Sequence, residues 1–225
     1  MTPALAPALV VAAAAIGSVH TLAPDHWVPF AALARAERWS ARRTAGITAL
    51  CGLGHVTVSV LLGVVSVFLG LELLQTFGRG LESVAGVLLI AFGAVYGLWG
   101  LHRAVQSRWH DHEHGHGHTH WHPGHPGAHA QGARLTPWML FLVFCADPCV
   151  AVVPLMFAAA PLGWRSTLAV VAAYELSTVA TMVALVLPAR AVATAVRSTW
   201  ADRYGDALAG GVIAGVGLAV VKFGL

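Results

Sequence analysis

The run His20-Thr-Leu-Ala-Pro24-Asp25-His26 puts two imidazoles and a carboxylate around a helix-breaking proline, within seven residues. Imidazole and carboxylate suit nickel, cobalt, zinc and non-haem iron. In an unbroken helix His20 and His26 lie about 240° apart around the axis and share no face. A break at Pro24 lets both converge with Asp25. Further along, Gly52-Leu-Gly54-His55 adds a third imidazole, flanked by residues small enough for close approach. Asp147-Pro148-Cys149 and Tyr174-Glu175 supply two carboxylates and a thiol. The candidate metal ligands are therefore His20, Asp25, His26, His55, Asp147, Cys149 and Glu175. Cys51 and Cys145 read as packing residues.

A second set is of a different kind. His110, His112, His114, His116, His118, His120 and His122 alternate with other residues, and His125 and His129 follow. Glycine and proline between them leave no packed core to form, so this tract reads as a flexible collector of metal, zinc included. Such a tract binds in many registers and discriminates poorly between metals.

These side chains must be positioned by membrane helices. The chain has 225 residues, is 57% hydrophobic and only 10% charged, with a net charge of +3. Soluble domains carry roughly 25% charged residues. Its mean hydropathy is +0.72. Nucleic-acid binding is excluded by the small, scattered positive charge, and an extracellular disulfide framework by three cysteines in apolar stretches. No basic residue precedes Arg35, so the N-terminus reads as a retained first span.

Spans of about 20 apolar residues are predicted at 4–23, 44–70, 80–102, 137–160, 165–189 and 205–224. The expectation is an all-α integral membrane protein. Its parts are a first three-helix repeat over 1–102, a histidine-rich loop over 103–136 and a second three-helix repeat over 137–225. Ten basic residues fall on the 1–2, 3–4 and 5–6 connections and three on the other side: Arg79, Arg165 and Lys222. The positive-inside rule then puts both termini outside the inner membrane and the histidine loop in the cytoplasm. Ala23-Pro24-Asp25-His26 and Ala146-Asp147-Pro148-Cys149 are similar, and an odd number of spans per half makes the two repeats inverted, with helices 1 and 4 broken by proline. Pro24 is expected to free the carbonyl of His20, Pro29 that of Asp25, Pro148 that of Phe144 and Pro154 that of Val150. Gly93/Gly97 and Gly211/Gly215 are expected to let helices approach closely.

At His20, Asp25 and His26 the chain resembles the nickel/cobalt transporter superfamily, related to the broader LysE-like transporters, whose signature is His-x4-Asp-His in a membrane helix. Gly54-His55 looks like that family's second helix motif, and the histidine-rich central loop is similar to that of its efflux-type members. Uptake members have an acidic residue and alanine inside the motif, where this chain has Leu22, Ala23 and Pro24. A weaker resemblance, at Pro148-Cys149-Val150 and Pro154, is to thiol-electron transporters of the cytochrome c biogenesis type, which use one cysteine from each half. Here His26 stands at the first-half position.

The resemblance implies a secondary transporter of Ni²⁺ or Co²⁺, with a lean to efflux, and neither an enzyme nor a protein with a resident cofactor. Uptake of the same metals and thiol-disulfide electron transfer are the alternatives. Its partners are the bilayer and the metal ion, and homo-oligomerisation is left open. The chain contains no Walker-type phosphate loop. His20 and His26 also lack the His-Glu-x-x-His spacing of a metallohydrolase.

Overall fold

The computed structural model describes residues 5–69, 71–106, 137–147, 149, 151–195, 200 and 203–223, and the side chains of all of these except 66–82. The described chain is helical throughout. Helices α1 (Leu5–His20), α2 (Pro24–Ala36), α3 (Ala41–Leu69) and α4 (Leu71–Gln106) form the first half. The second half contains α5 (137–145), α6 (Val152–Ala159, continued by a 3₁₀ turn Ala160–Leu162), α7 (Trp164–Ala195) and α8 (Gly205–Phe223). Four of these, α3, α4, α7 and α8, hold stretches long and apolar enough to cross a membrane, and α1 with α2 makes a fifth candidate, bent by 53°. The histidine tract, from His110 to His129, lies outside the described residues.

Helical structure does not end near residue 23. After a three-residue break the chain resumes as α2, whose Phe30, Leu33 and Ala34 are fully buried. Residues 24–36, read from sequence as the start of a loop, are thus a packed half-helix, because the apolar face Phe30-Leu33-Ala34 repeats at helical spacing. Arg35 belongs to its last turn. The helix stops through a Schellman arrangement: Arg38 N–H bonds to Arg35 O at 3.1 Å and Trp39 N–H to Ala34 O at 2.9 Å, with Arg38 at φ +53°. That turn buries Trp39.

Arginines gather at one end of the bundle. Arg35 Nε donates to Ala193 O at 2.5 Å, and Arg190 Nε to Trp39 O at 2.8 Å. Arg203 donates to Ala104 O through Nε and Nη2, and Arg103 pairs with Asp206 at 3.1 Å. Basic residues of all three connections thus interlock near the C-terminal ends of α2, α4 and α7, satisfying carbonyls that the helices leave open. We refer to this as the basic end.

Helices α4 and α8 are the most intimately packed pair. A methyl group on Gly210 would strike the backbone of Gly97, and one on Gly93 the backbone of Ala214. Gly93 and Gly97 therefore act as expected. Gly211 and Gly215 have nothing within 4 Å of such a methyl and face outward; Gly210 and Gly217 make the approach instead.

Two apolar cores divide the interior. One, toward the basic end, contains Phe30, Leu33, Trp39, Leu140, Phe144, Met182 and Val186. The other contains Ala13, Val56, Cys149, Val152, Met156 and Tyr174. The candidate site lies at the seam between them.

Candidate metal site

His20 is the last residue of α1. The break that follows keeps most of its hydrogen bonds local. Thr21 N–H and hydroxyl both bond to Gly17 O, at 3.2 and 2.6 Å. Leu22 N–H reaches Val19 O, and Ala23 N–H reaches His20 O at 3.2 Å. Ala23 is extended, at φ −57° and ψ 133°, as a residue before proline must be. Pro24 opens α2, where its missing N–H costs nothing. The carbonyl of His20 is therefore not released by Pro24, because the turn itself uses it. Pro29 is accommodated inside α2 without ending it. Pro154 falls in the first turn of α6, and Pro148 and Val150 lie outside the described residues.

Asp25, His26 and His55 are all buried, to 3% exposure or less. Asp25 Oδ1 accepts a hydrogen bond from His26 Nδ1 at 3.0 Å. On α3, His55 Nδ1 donates to Phe144 O at 3.2 Å. This is one of the carbonyls expected to be freed at the second break, and it orients a histidine. Since a carbonyl and a carboxylate only accept, each of these two rings carries its proton on Nδ1 and leaves the Nε2 lone pair bare. Nε2 of His20, His26 and His55 are all buried without a hydrogen-bond partner. Leaving such a group dry costs about 1–3 kcal/mol each.

The three rings are mutual neighbours. His20 and His26 stand 4.4 Å apart between centroids, His26 and His55 5.3 Å, both edge to face. His20 and His55 are nearly parallel at 6.4 Å. Phe144 closes one side, 5.8 Å from His26 and 5.3 Å from His55. Cys149, buried at the second break, completes a donor triangle: one ligand atom each from His20, His55 and Cys149 lie within 4.8 Å of one another. Tetrahedral Zn-like sites, with bonds of about 2.0–2.3 Å, set donors roughly 3.3–3.8 Å apart. A modest contraction would reach that geometry.

Two further residues fix the sulfur. Cys149 N–H donates to Ser59 Oγ at 2.6 Å, while Ser59 Oγ–H donates to His55 O at 2.7 Å. Cys149 Sγ and Tyr174 Oη share a hydrogen bond at 2.6 Å. Next to His55, Gly54 permits close packing of α3 on α5: a methyl there would come 2.8 Å from Cys145 Sγ and 2.6 Å from the Phe141 ring.

The structure thus brings together His20, Asp25, His26, His55 and Cys149. His26 falls outside the donor triangle, yet its ring packs against both imidazoles that form it. Asp147 and Glu175, both half-buried, are not in the donor triangle. Ser59 and Tyr174 are the residues that sequence reasoning did not single out, and Phe144 was named for its carbonyl but not for its ring. A signal existed for Tyr174. Val170, Tyr174, Thr178, Met182 and Val186 form the buried face of α7 at every fourth residue, and Glu175 is one step off it. The chain matches no protein-family model, and no curated protein and no solved structure matches it.

Proposed function

We propose that the chain is a secondary membrane transporter whose substrate is a divalent transition metal, nickel or cobalt. One observation carries this reading: donor atoms of two buried imidazoles and a thiol come together at a proline-broken helix inside an apolar bundle, with a third partnerless imidazole packed against both rings. The donor set supports a borderline metal over magnesium or calcium, which take oxygen. His20, His55 and Cys149 would bind directly and His26 would be the fourth donor. Asp25 sets the ring of His26, a support that metal-binding histidines usually need. With the Asp25 carboxylate and a Cys149 thiolate, the site would balance two positive charges. The C-terminus of α1, which ends on His20, adds a favourable partial negative charge.

Helix packing supports six crossings in two inverted triplets. The broken pair α1–α2 packs on α7, as α6 packs on α3, and the third helices α4 and α8 pack on each other. In this arrangement α5 and α6 together make the sixth crossing. Rocking of the two triplets would then alternate access to a site between them. With the basic end in the cytoplasm, the histidine loop joins α4 to α5 on that side and would gather metal for export. Thiol-disulfide electron transfer receives less support, since Cys149 faces imidazoles and a phenol, and Cys51, Cys145 and Cys149 are all free.

The test is metal movement in sealed proteoliposomes loaded with a fluorescent metal indicator, comparing Ni²⁺, Co²⁺, Zn²⁺ and Mn²⁺. Saturable Ni²⁺ or Co²⁺ flux that survives deletion of residues 110–129 supports the reading. Absence of flux for all four metals overturns it.

A further inference from the structure

One face of α3 runs from the site toward the basic end. Thr44, Thr48, His55 and Ser59 fall on a single helical face, since steps of four, seven and four residues return to within about 40° of one direction. All four are buried to 1% exposure or less. This seam is polar in two patches, Thr44 with Thr48 and His55 with Ser59, with the buried Cys51 between them; polar groups inside a membrane bundle are costly and are candidates for function.

Within this seam the hydroxyls behave differently. Thr44 Oγ1–H donates to Ser40 O at 2.9 Å, and Ser59 Oγ–H to His55 O, each the carbonyl four residues back. Thr48 makes no such bond: its Oγ1 is buried and without a partner. It lies two turns from His55, about 10 Å along the axis. Beyond it toward the basic end stands Trp39, 1% exposed, its Nε1 also without a partner and its carbonyl held by Arg190. Arg43 lies over the Trp39 ring at 5.4 Å.

Resting on the transport reading, we infer that the metal leaves or enters toward the basic end along this face of α3, with Thr48 as the stepping point. A neutral hydroxyl suits the task. It can hold the ion or one of its waters, but too weakly to trap it, and conduction requires sites that release. The Thr48 oxygen is too far from the nitrogen cluster to be part of the binding site.

The experiment compares wild type, Thr48→Val and Thr48→Ser in full-length protein. Co²⁺ flux is measured in proteoliposomes, and the visible absorption of bound Co²⁺ in detergent. Thr48→Val keeps the shape and removes the hydroxyl. Maximal flux should fall about tenfold, the loss of one hydroxyl-to-cation contact, while KM and the Co²⁺ spectrum stay as in wild type. Thr48→Ser should restore flux. Unchanged flux in Thr48→Val, with wild type active, overturns the route alone. So does a matched change in spectrum and KM, which would put Thr48 in the binding site. Wild-type vesicles that carry no Co²⁺ overturn the functional reading itself. Should Thr48→Val fail to fold, Thr48→Ala read in the same two assays decides.

Discussion

The two breaks in the bundle solve the same problem by different means. Between α1 and α2 the chain interrupts for three residues, and the hydrogen bonds of that turn are mostly drawn from the preceding helix. After α5, Ala146 N–H bonds back to Leu142 O and Val143 O and Asp147 N–H to Phe144 O, but another helix also takes part. Phe144 O accepts from His55 as well, and Cys149 N–H donates to Ser59, both on α3. The first break is self-contained and contributes two imidazoles and a carboxylate. The second is held partly from outside and contributes a sulfur and an orienting carbonyl. Irregular backbone in a membrane must be satisfied by protein, and the source of that satisfaction decides how independent each half of the site is.

Removing a donor of the first break should have the largest effect. His26→Ala and His20→Ala are each expected to lower metal flux by more than about 100-fold, beyond the range seen when only supporting groups are lost. Circular dichroism and thermal unfolding should report an intact helical bundle. If either variant transports at the wild-type rate, the first break is structural and the site lies elsewhere. Asp25→Asn comes next. The amide keeps an acceptor for His26 Nδ1 but loses the charge, so metal binding should weaken by about 10- to 100-fold. Equilibrium titration with Co²⁺ measures this, and an unchanged affinity would show that the carboxylate serves only folding.

The second break should tolerate more. Cys149→Ser replaces the soft donor with a hard one, so the preference should shift away from the most thiophilic metals. Affinity for Co²⁺ is expected to fall by about tenfold, less than for a histidine. The near-ultraviolet sulfur-to-Co²⁺ charge-transfer band should vanish. A spectrum without that band in wild type would remove Cys149 from the coordination sphere.

The same contrast explains what could be read from the residues alone. The first break was legible because everything it needs is adjacent in sequence: Pro24, the acid and both histidines lie within seven residues. His55 was legible as an imidazole in an apolar run. The sulfur was named as a ligand, but its supports were not, because Ser59 and Tyr174 reach Cys149 across 90 and 25 residues. The second helix, running to Ala36, was obscured by Arg35 and Pro29, which read as a loop until Phe30, Leu33 and Ala34 are seen to pack against a core. The direction of Gly210 and Gly217, rather than Gly211 and Gly215, depends on which face of α8 meets α4, and composition along an apolar helix with glycines on several faces does not reveal it.

The finest separation of the two breaks comes from paired hydroxyl deletions. Thr21→Val in the first break removes a bond to Gly17 O that the Thr21 N–H already makes, so the carbonyl stays satisfied and stability should change by less than about 1 kcal/mol. Ser59→Ala in the support of the second break removes the acceptor for Cys149 N–H. A buried amide is then left without a partner, which costs about 1–3 kcal/mol. The segment should loosen, and Cys149 should react faster with a membrane-permeant thiol reagent in Ser59→Ala than in Thr21→Val or wild type. Cys51→Ser and Cys145→Ser in the background make that rate specific to Cys149. Equal rates in all three proteins would mean that the second break, like the first, holds its own shape, and the asymmetry drawn between them would be lost.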